Sequence, residues 1–580
     1  MSRRGLIKSG LVLGGLASVG GGSLFGPLSE AAIAGTALTT LDRTYGLGTP
    51  NDARGYKPIV AKSGEPHLFR NDLGGHQSTT ALTDRKPVLT FVQLSDVHLA
   101  DHQSPMRTEW LDRFEDQDAP GDPVPGLLSS AYRAHEMLSL HVADAMIRTI
   151  NDIRCGPVTG KPIAFVIQTG DNSDNCQYNE VRWNIDVLDG TSVTPDSGNT
   201  GKYEGVMSAN PMIYDIHYWH PDGTPAGKVD DLARSRYGFP VVKGLLESSR
   251  KTFKPAGLNQ NIPWYTAFGN HDGLVQGNFP HSLQLSLVGT GPLKIISSPA
   301  GVSEADVLNL ARTQNLTGVL NAVSLLSTAT LVTPDLNRRS LTRSQIVEQH
   351  FTTPPLPGPV GHGFTTTNRL QGTAYYTFIQ SGVQFIVLDT VNPNGWDDGS
   401  IDSAQLAWLT GLLNAPATKT LPAVIASHHT INTMTNQLPL AGLDLNYRET
   451  GATVQALLLA NPRVIAWVNG HTHVNQIWAH ARADGSGGFW EINTASHIDF
   501  PQQARLLEIT DNLDGTLSIF TTMLDHAGPA AHTNITDPVQ LAGLSRELAA
   551  NDWQSRTTHR EGVIEARNTE LLVPKPAVLA

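Results

Sequence analysis

The chain has 580 residues, a net charge of −12, 40% hydrophobic residues and two cysteines. That length exceeds one ordinary domain and supplies a large core, while the acidic balance argues against a general nucleic-acid binder, which carries a basic patch. The two cysteines, Cys155 and Cys176, exclude a disulfide scaffold and leave either one bridge or two buried thiols.

Near the start, Arg3-Arg4-Gly5-Leu6-Ile7-Lys8 precedes a glycine-rich, mildly apolar run from Gly10 to Gly26, and Ala32-Ile33-Ala34 offers a small-residue cleavage site. This order reads as a twin-arginine export signal over residues 1–34. The apolar run is too short and too rich in glycine for a membrane span, and no later stretch reads as one. The expected partner is the twin-arginine export machinery, and the expected location is periplasmic, cell-wall or extracellular. Residues 35–87 read as an irregular arm wrapped on the core.

The core begins with an apolar strand, Val88 to Leu94, that ends at Ser95-Asp96-Val97-His98. Asp and His two residues apart at a strand end point the same way, as two ligands of one metal must. In the polar run that follows, Arg107 is placed either to grip a phosphate oxygen or to form an ion pair with Glu109 or Asp101. The apolar spacing over 131–153 predicts a helix. Ile163–Ile167 reads as a buried strand ending at Gly170-Asp171-Asn172-Ser173-Asp174, which completes a βαβ unit. Ligands gather at the carboxyl ends of such strands.

An insertion at about 189–260, rich in Gly, Pro, Tyr and Trp, is expected to cover the site, its aromatics acting more as loop anchors than as substrate contacts. The strand Ile262–Ala267 then leads into Phe268-Gly269-Asn270-His271-Asp272. A second insertion runs from about 275 to 365, and its Leu/Ala/Val-rich part, 302–332, is expected to be helical. Beyond it come paired strands around Gln380-Ser381-Gly382 and a helix starting at Asp402-Ser403. One apolar strand ends at His428-His429, another at Asn469-Gly470-His471-Thr472-His473. Strands near 487–494, 505–510 and 516–523 and a helix at 538–550 close the list of elements. The main domain is expected over 88–526, with a C-terminal tail from 527 to 580.

Five strand ends thus offer hard or borderline donors: Asp96 and His98; Asp171; Asn270 with His271; His428 and His429; His471 and His473. Two carboxylates, an amide and four imidazoles exceed one ion's needs. Two ions about 3.5–4 Å apart clamp a phosphoryl group and turn water into a nucleophile near neutral pH. The mixed N/O set suits divalent or trivalent ions, with Mn, Fe and Zn first and Co and Ni behind them, and argues against a site for Ca alone.

Asp96-x-His98, Gly170-Asp171-x-x-Asp174, Gly269-Asn270-His271-Asp272, His428 after an apolar strand and Gly470-His471-x-His473, in that order over roughly 88–500, resemble the calcineurin-like metallophosphoesterases. The export signal together with Asp101-x-Gln103-Ser104-Pro105 is similar to an exported bacterial subgroup. The resemblance implies an α/β/β/α sandwich of two mixed sheets flanked by helices. It implies that Asp96, His98 and His473 hold one metal, that Asn270, His428 and His471 hold the other, and that Asp171 bridges them. His271 would contact the phosphate or protonate the leaving oxygen, oriented by Asp272; Arg107 and His429 are the candidates for substrate contact. Purple acid phosphatases carry Tyr where this chain has Asp174, so a tyrosinate–iron centre is not implied.

The function expected from these residues is hydrolysis of a phosphate mono- or diester outside the cytoplasmic membrane. The competing reading is a binding or cell-surface protein that keeps metal for structure. A metallopeptidase shares the metal logic but lacks here its His-Glu-x-x-His helix.

Overall fold

A computed structural model describes residues 39–78, 81–114, 130–297, 328–438, 447–553 and 558–579. The export segment 1–34 and most of the stretch 302–332 lie outside the described residues. Where the latter is described, Thr328–Leu331 is a strand paired antiparallel with Leu293–Ser297.

The core strands, in chain order, are β1 (Leu68–Arg70), β2 (Lys86–Leu94), β3 (Val166–Gln168), β4 (Trp264–Thr266), β5 (Tyr376–Gln380), β6 (Val383–Val387), β7 (Ala423–Ala426), β8 (Val464–Asn469), β9 (Gln476–Ala481), β10 (Gly488–Asn493), β11 (Gln503–Asp511), β12 (Thr516–Asp525) and β13 (Thr569–Pro574). They form two mixed sheets. The first has the order β1-β13-β12-β11-β2-β3-β4, and the second β5-β6-β7-β8-β10-β9. The parallel runs are β2-β3-β4 in one sheet and β6-β7-β8-β10 in the other.

Both faces of the central strands are buried, as strands between a second sheet and a helix layer require. Between the sheets, Phe385 of β6 meets Phe91 of β2 edge-on at 5.3 Å and Phe165, just before β3, at 4.9 Å. Such contacts add about 0.5–1.5 kcal/mol each beyond simple burial. Helices α1 (Ser139–Ile153) and α2 (Tyr178–Asp189) serve the first sheet, with Leu140, Met146, Ile147, Ile185 and Leu188 in the main core. Helices α3 (Ser403–Leu413) and α4 (Gly451–Leu459) cover the second sheet, Leu409, Leu413, Val454 and Leu458 packing on Ile386, Ile425 and Trp467. Asp402 caps α3 by accepting from the Gln405 N–H. The β5–β6 hairpin turns on Ser381 (φ 51°) and Gly382 (φ 77°), a two-residue loop with both φ positive.

The segment 527–580 is more than a tail. It supplies helix α5 (Pro538–Ala550), whose Ala542 packs on Val142 and Ala145 of α1, and strand β13 of the first sheet. The arm before β2 is pinned by the Thr40 N–H, which donates to the Met523 carbonyl on β12. Cys155 and Cys176 are separate buried thiols. Among the described residues, no helix is long and apolar enough to cross a membrane.

Candidate metal centre

The five polar strand ends meet at one edge of the sandwich, at the carboxyl ends of β2, β3 and β4 in one sheet and of β7 and β8 in the other. Backbone hydrogen bonds lock the turns together: Asp96 N–H to the Gly170 carbonyl (3.1 Å), His98 N–H to the Asp171 carbonyl (2.9 Å) and Gly470 N–H to the His428 carbonyl (2.9 Å). Two glycines make the close approach possible. A Cβ on Gly269 would strike the Asp171 amide and carboxylate, and one on Gly470 would strike Ser95 Oγ and Asp96 Oδ2. Asp96 (φ 50°), His98 (46°), Asp171 (52°), His471 (72°) and His473 (58°) are all left-handed, rare for residues with a side chain. Each such residue costs about 1–3 kcal/mol, and such strain concentrates at functional sites.

The side chains fall into two sets. In the first, His473 Nε2 lies 3.3 Å from Asp96 Oδ1 and 3.3 Å from His98 Nε2. In the second, His428 Nε2 lies 3.2 Å from His471 Nδ1, and Asn270, on the turn after β4, lines the same cavity as His471. Asp171 stands between the sets, with Oδ2 3.6 Å from His98 Nε2 and 3.1 Å from His428 Nε2. Outer partners fix the rings. His98 Nδ1 bonds Asp174 Oδ1 (3.0 Å), His473 Nδ1 bonds Asp499 Oδ2 (2.5 Å), and His428 Nδ1 donates to the Thr169 carbonyl (2.9 Å). In each ring the Nε2 atom is thereby turned toward the centre.

This donor set fits two metal ions. Ring nitrogens face one another within each set, where a cation would relieve the opposed lone pairs. Asn270 Oδ1 is buried with no hydrogen-bond donor, an unusual loss unless something else binds it. Burial alone would raise the Asp96 pKa, yet His473 and its hydrogen bond hold it down at about 2. Burial alone would lower that of His428, yet Asp171 and Asp96 lift it to about 9. Burial, followed by the charge of His428, drops His471 to about 3. Asp96, His98 and His473 form one geometrically feasible cation group, and Asp96, Asp171 and His428 another. A third grouping joins His429 to His428 and His471. It fails on chemistry, because His429 Nδ1 is bonded to Thr390 Oγ1 and Nε2 to the Asp397 carbonyl, both at 2.7 Å.

Three expected roles change. His429 spends both nitrogens on protein and does not reach substrate. Arg107 is 2% exposed and forms ion pairs with Asp174, with Glu136 at 2.6 Å and with Glu109 at 3.4 Å. It is a buried structural cation, as the ion-pair alternative holds. Asp272 does not orient His271. Its carboxylate accepts from the backbone N–H groups of Gly269, Asn172 and Ser173 at 2.9–3.0 Å and so ties two ligand-bearing turns together. Residues Asn270–Gly273 form one helical turn, which swings Asp272 away from the face that carries Asn270 and His271. His271 is oriented instead by the Asp174 carbonyl, 2.7 Å from its Nδ1.

A cavity of about 240 Å³ opens over the centre, and Asp171, Asn270, His271, His98, His471 and His473 line its floor. Its walls come from Thr108 and Leu111, from Arg133, from Gln276, Asn278 and Phe279, from Trp396 and Asp397, and from Arg560. The insertion at 189–260 contributes nothing to this lining. Its Tyr218, Trp219, Tyr237 and Phe239 pack with Leu541, Leu544 and Trp553 in a separate core. One important residue is missing from the sequence reading. Asp499 follows a sixth strand end, Ser496-His497-Ile498-Asp499 after β10, a signal of the same kind as the other five. Asp174 was seen, but its triple contact with His98, His271 and Arg107 depends on folding.

No family model and no curated protein matches the chain. Among solved structures it is similar to a dimetal phosphatase from Danio rerio (11% identity, TM-score 0.32, 76% of this chain and 100% of that one). It is also similar to a purple acid phosphatase from yellow lupin (Lupinus luteus) seeds (8% identity, TM-score 0.27, 80% of this chain). The matched region spans 53% of the lupin chain. Likeness at these levels carries no weight for chemistry, which rests on the geometry of the centre.

Proposed function

We propose that this chain is a dinuclear metal-dependent phosphoesterase that hydrolyses a phosphate mono- or diester. The observation that carries the reading is Asp171, set between two donor groups, with His271 beside them keeping one ring nitrogen for other work. Asp96, His98 and His473 would hold one ion, Asn270, His428 and His471 the other, and Asp171 both. Bound there, two ions neutralise phosphoryl charge and make water nucleophilic near neutral pH. The motif order resembling the calcineurin-like metallophosphoesterases supports the same reading.

The chain's own contribution is placement and proton handling. The Nδ1–H of His271 donates to the Asp174 carbonyl, which fixes the tautomer. Its Nε2 lies close to Gly277, whose missing side chain leaves the ring its space. In that tautomer Nε2 is a free acceptor that can take a proton from water, and it donates to a phosphoryl or departing ester oxygen only once the ring is protonated, a form that burial disfavours. Arg560, on the cavity wall, is of the type that grips phosphate oxygens, while Arg133 beside it is committed to Asp499 and the Ser130 carbonyl.

The same reading includes export by the twin-arginine route, with removal of residues 1–34 and action in the periplasm, cell wall or medium. Arg3-Arg4, the apolar run and Ala32-Ile33-Ala34 support it, and N-terminal sequencing of secreted protein tests it. For the chemistry, protein loaded with Mn, Fe or Zn should turn over p-nitrophenyl phosphate or bis-p-nitrophenyl phosphate. Asp96→Asn and His471→Ala should abolish that turnover while circular dichroism stays native. Full activity in either variant would sink the assignment.

A further inference from the structure

The cavity over the centre has two chemically unlike walls. Beside His473 stand Arg133 and Arg560, both paired with Asp499. At the other end stand Phe279, Trp396 and Asp397. The Asp397 carbonyl accepts from His429 Nε2, and the His429 ring lies 4.5 Å from that of His471 and 4.9 Å from that of His428. This second wall therefore belongs to the Asn270–His428–His471 end.

That wall is built at a cost. Trp396 is left-handed, at φ 72°, an outlier for a bulky side chain. Its N–H donates to the carbonyl of Asn278 (2.9 Å), the residue next to Phe279, so the two segments are joined at the backbone where they line the cavity. The two side chains are 8% and 9% exposed, and the cavity is what they face. Asp397, half-buried, lines the same part of the cavity. Burial and then Asp398 push its pKa up, while His271 pulls it down, and no lysine or arginine is among the groups that act on it most. Aromatic faces with a half-buried carboxylate recognise ammonium groups, whereas the opposite wall suits phosphate oxygens.

We infer that the substrates are phosphoesters of an amino or quaternary-ammonium alcohol, the cation resting against Trp396, Phe279 and Asp397 and the phosphate over the metal ligands. This rests on the phosphoesterase reading, yet the cation subsite is testable without it. Choline chloride titrated into the metal-free full chain should bind, and Asp397→Asn and Trp396→Leu should each remove the binding. In the metal-loaded enzyme, p-nitrophenyl phosphorylcholine should exceed its uncharged 3,3-dimethylbutyl isostere in kcat/KM by about ten-fold, the ratio falling toward one in Asp397→Asn. Equal turnover of the two esters by the wild type would overturn the inference. So would a folded Asp397→Asn protein that keeps the preference, even where Trp396→Leu fails to fold. If Asp397→Asn slows both esters alike and moves the pH profile, Asp397 serves His271 and the cation subsite falls. Choline binding without turnover of any phosphoester would keep the subsite and overturn the phosphoesterase reading. Glycerophosphocholine and phosphatidylcholine vesicles, assayed side by side, tell a free ester from a lipid headgroup.

Discussion

The two halves of the metal centre back their donors with different chemistry. In the half made by Asp96, His98 and His473, each imidazole leans on a carboxylate, His98 on Asp174 and His473 on Asp499. Each of those carboxylates is held in turn by an arginine, Arg107 or Arg133. In the half made by Asn270, His428 and His471, the backing groups are neutral: the Thr169 carbonyl behind His428 and the Gly277 carbonyl, which accepts from Asn270 Nδ2 at 3.2 Å. Carboxylate backing raises the basicity of an imidazole ligand. The first half should hold its ion more tightly and favour the higher charge, and the second should exchange more readily.

The largest test removes what the halves share. Asp171→Asn takes away the anionic donor between them, so both ions should be lost and turnover should fall by about three orders of magnitude or more. Metal analysis that finds only one ion missing would show that Asp171 serves one half alone. Arg107→Met comes next. It strips the cation from Asp174 and Glu136 in a buried setting, and breaking such a pair costs about 3–5 kcal/mol. Urea denaturation of the metal-free protein should register that loss. An unchanged denaturation midpoint with a raised KM would return Arg107 to the substrate.

The same contrast separates what could be read in the sequence from what could not. Asp96, His98, Asp171, Asn270, His428, His471 and His473 were legible because each sits within a few residues of an apolar strand's end, and parallel strands bring such ends together. Strands β10, β11 and β12 and helix α5 were legible, whereas β1, inside a stretch read as irregular, and β9 and β13 were not. Arg107 and Asp272 misled because nearness along the chain says little about direction. Arg107 turns inward to Asp174, and Asp272 rotates off the site within one helical turn. The cavity wall was illegible for a different reason. Trp396, Asp397 and Arg560 come from irregular segments and Phe279 from a two-residue strand paired with Leu274–Val275, none with a repeating pattern, and only the closed fold makes them neighbours.

Smaller effects should show whether the halves are independent. Asp499→Asn weakens the backing of His473 and the pairing of Arg133 and Arg560 but touches nothing in the second half, so affinity for the first ion should fall about 10–100-fold while the second keeps its own. Stepwise chelation of the wild type should remove the second half's ion first. In Asp499→Asn the order should blur or reverse, as read by metal content against chelator concentration.

Ser95→Ala is the finest probe. Ser95 Oγ donates to Asp96 Oδ2 at 2.5 Å and accepts from Thr169 Oγ1 at 2.8 Å. Thr169 is the residue whose carbonyl holds His428, so this hydroxyl pair links an Asp96 oxygen to the second half, beside the direct bonds that the His471 N–H donates to both Asp96 oxygens at 3.1 Å. Losing a single such hydrogen bond costs about 0.5–1.5 kcal/mol, a few-fold in affinity for the ion beside Asp96. The Thr169 carbonyl is backbone and stays in place, so the second ion should be unmoved. Equal weakening of both ions would mean that this hydroxyl link couples the halves, and that carboxylate backing alone does not set their difference.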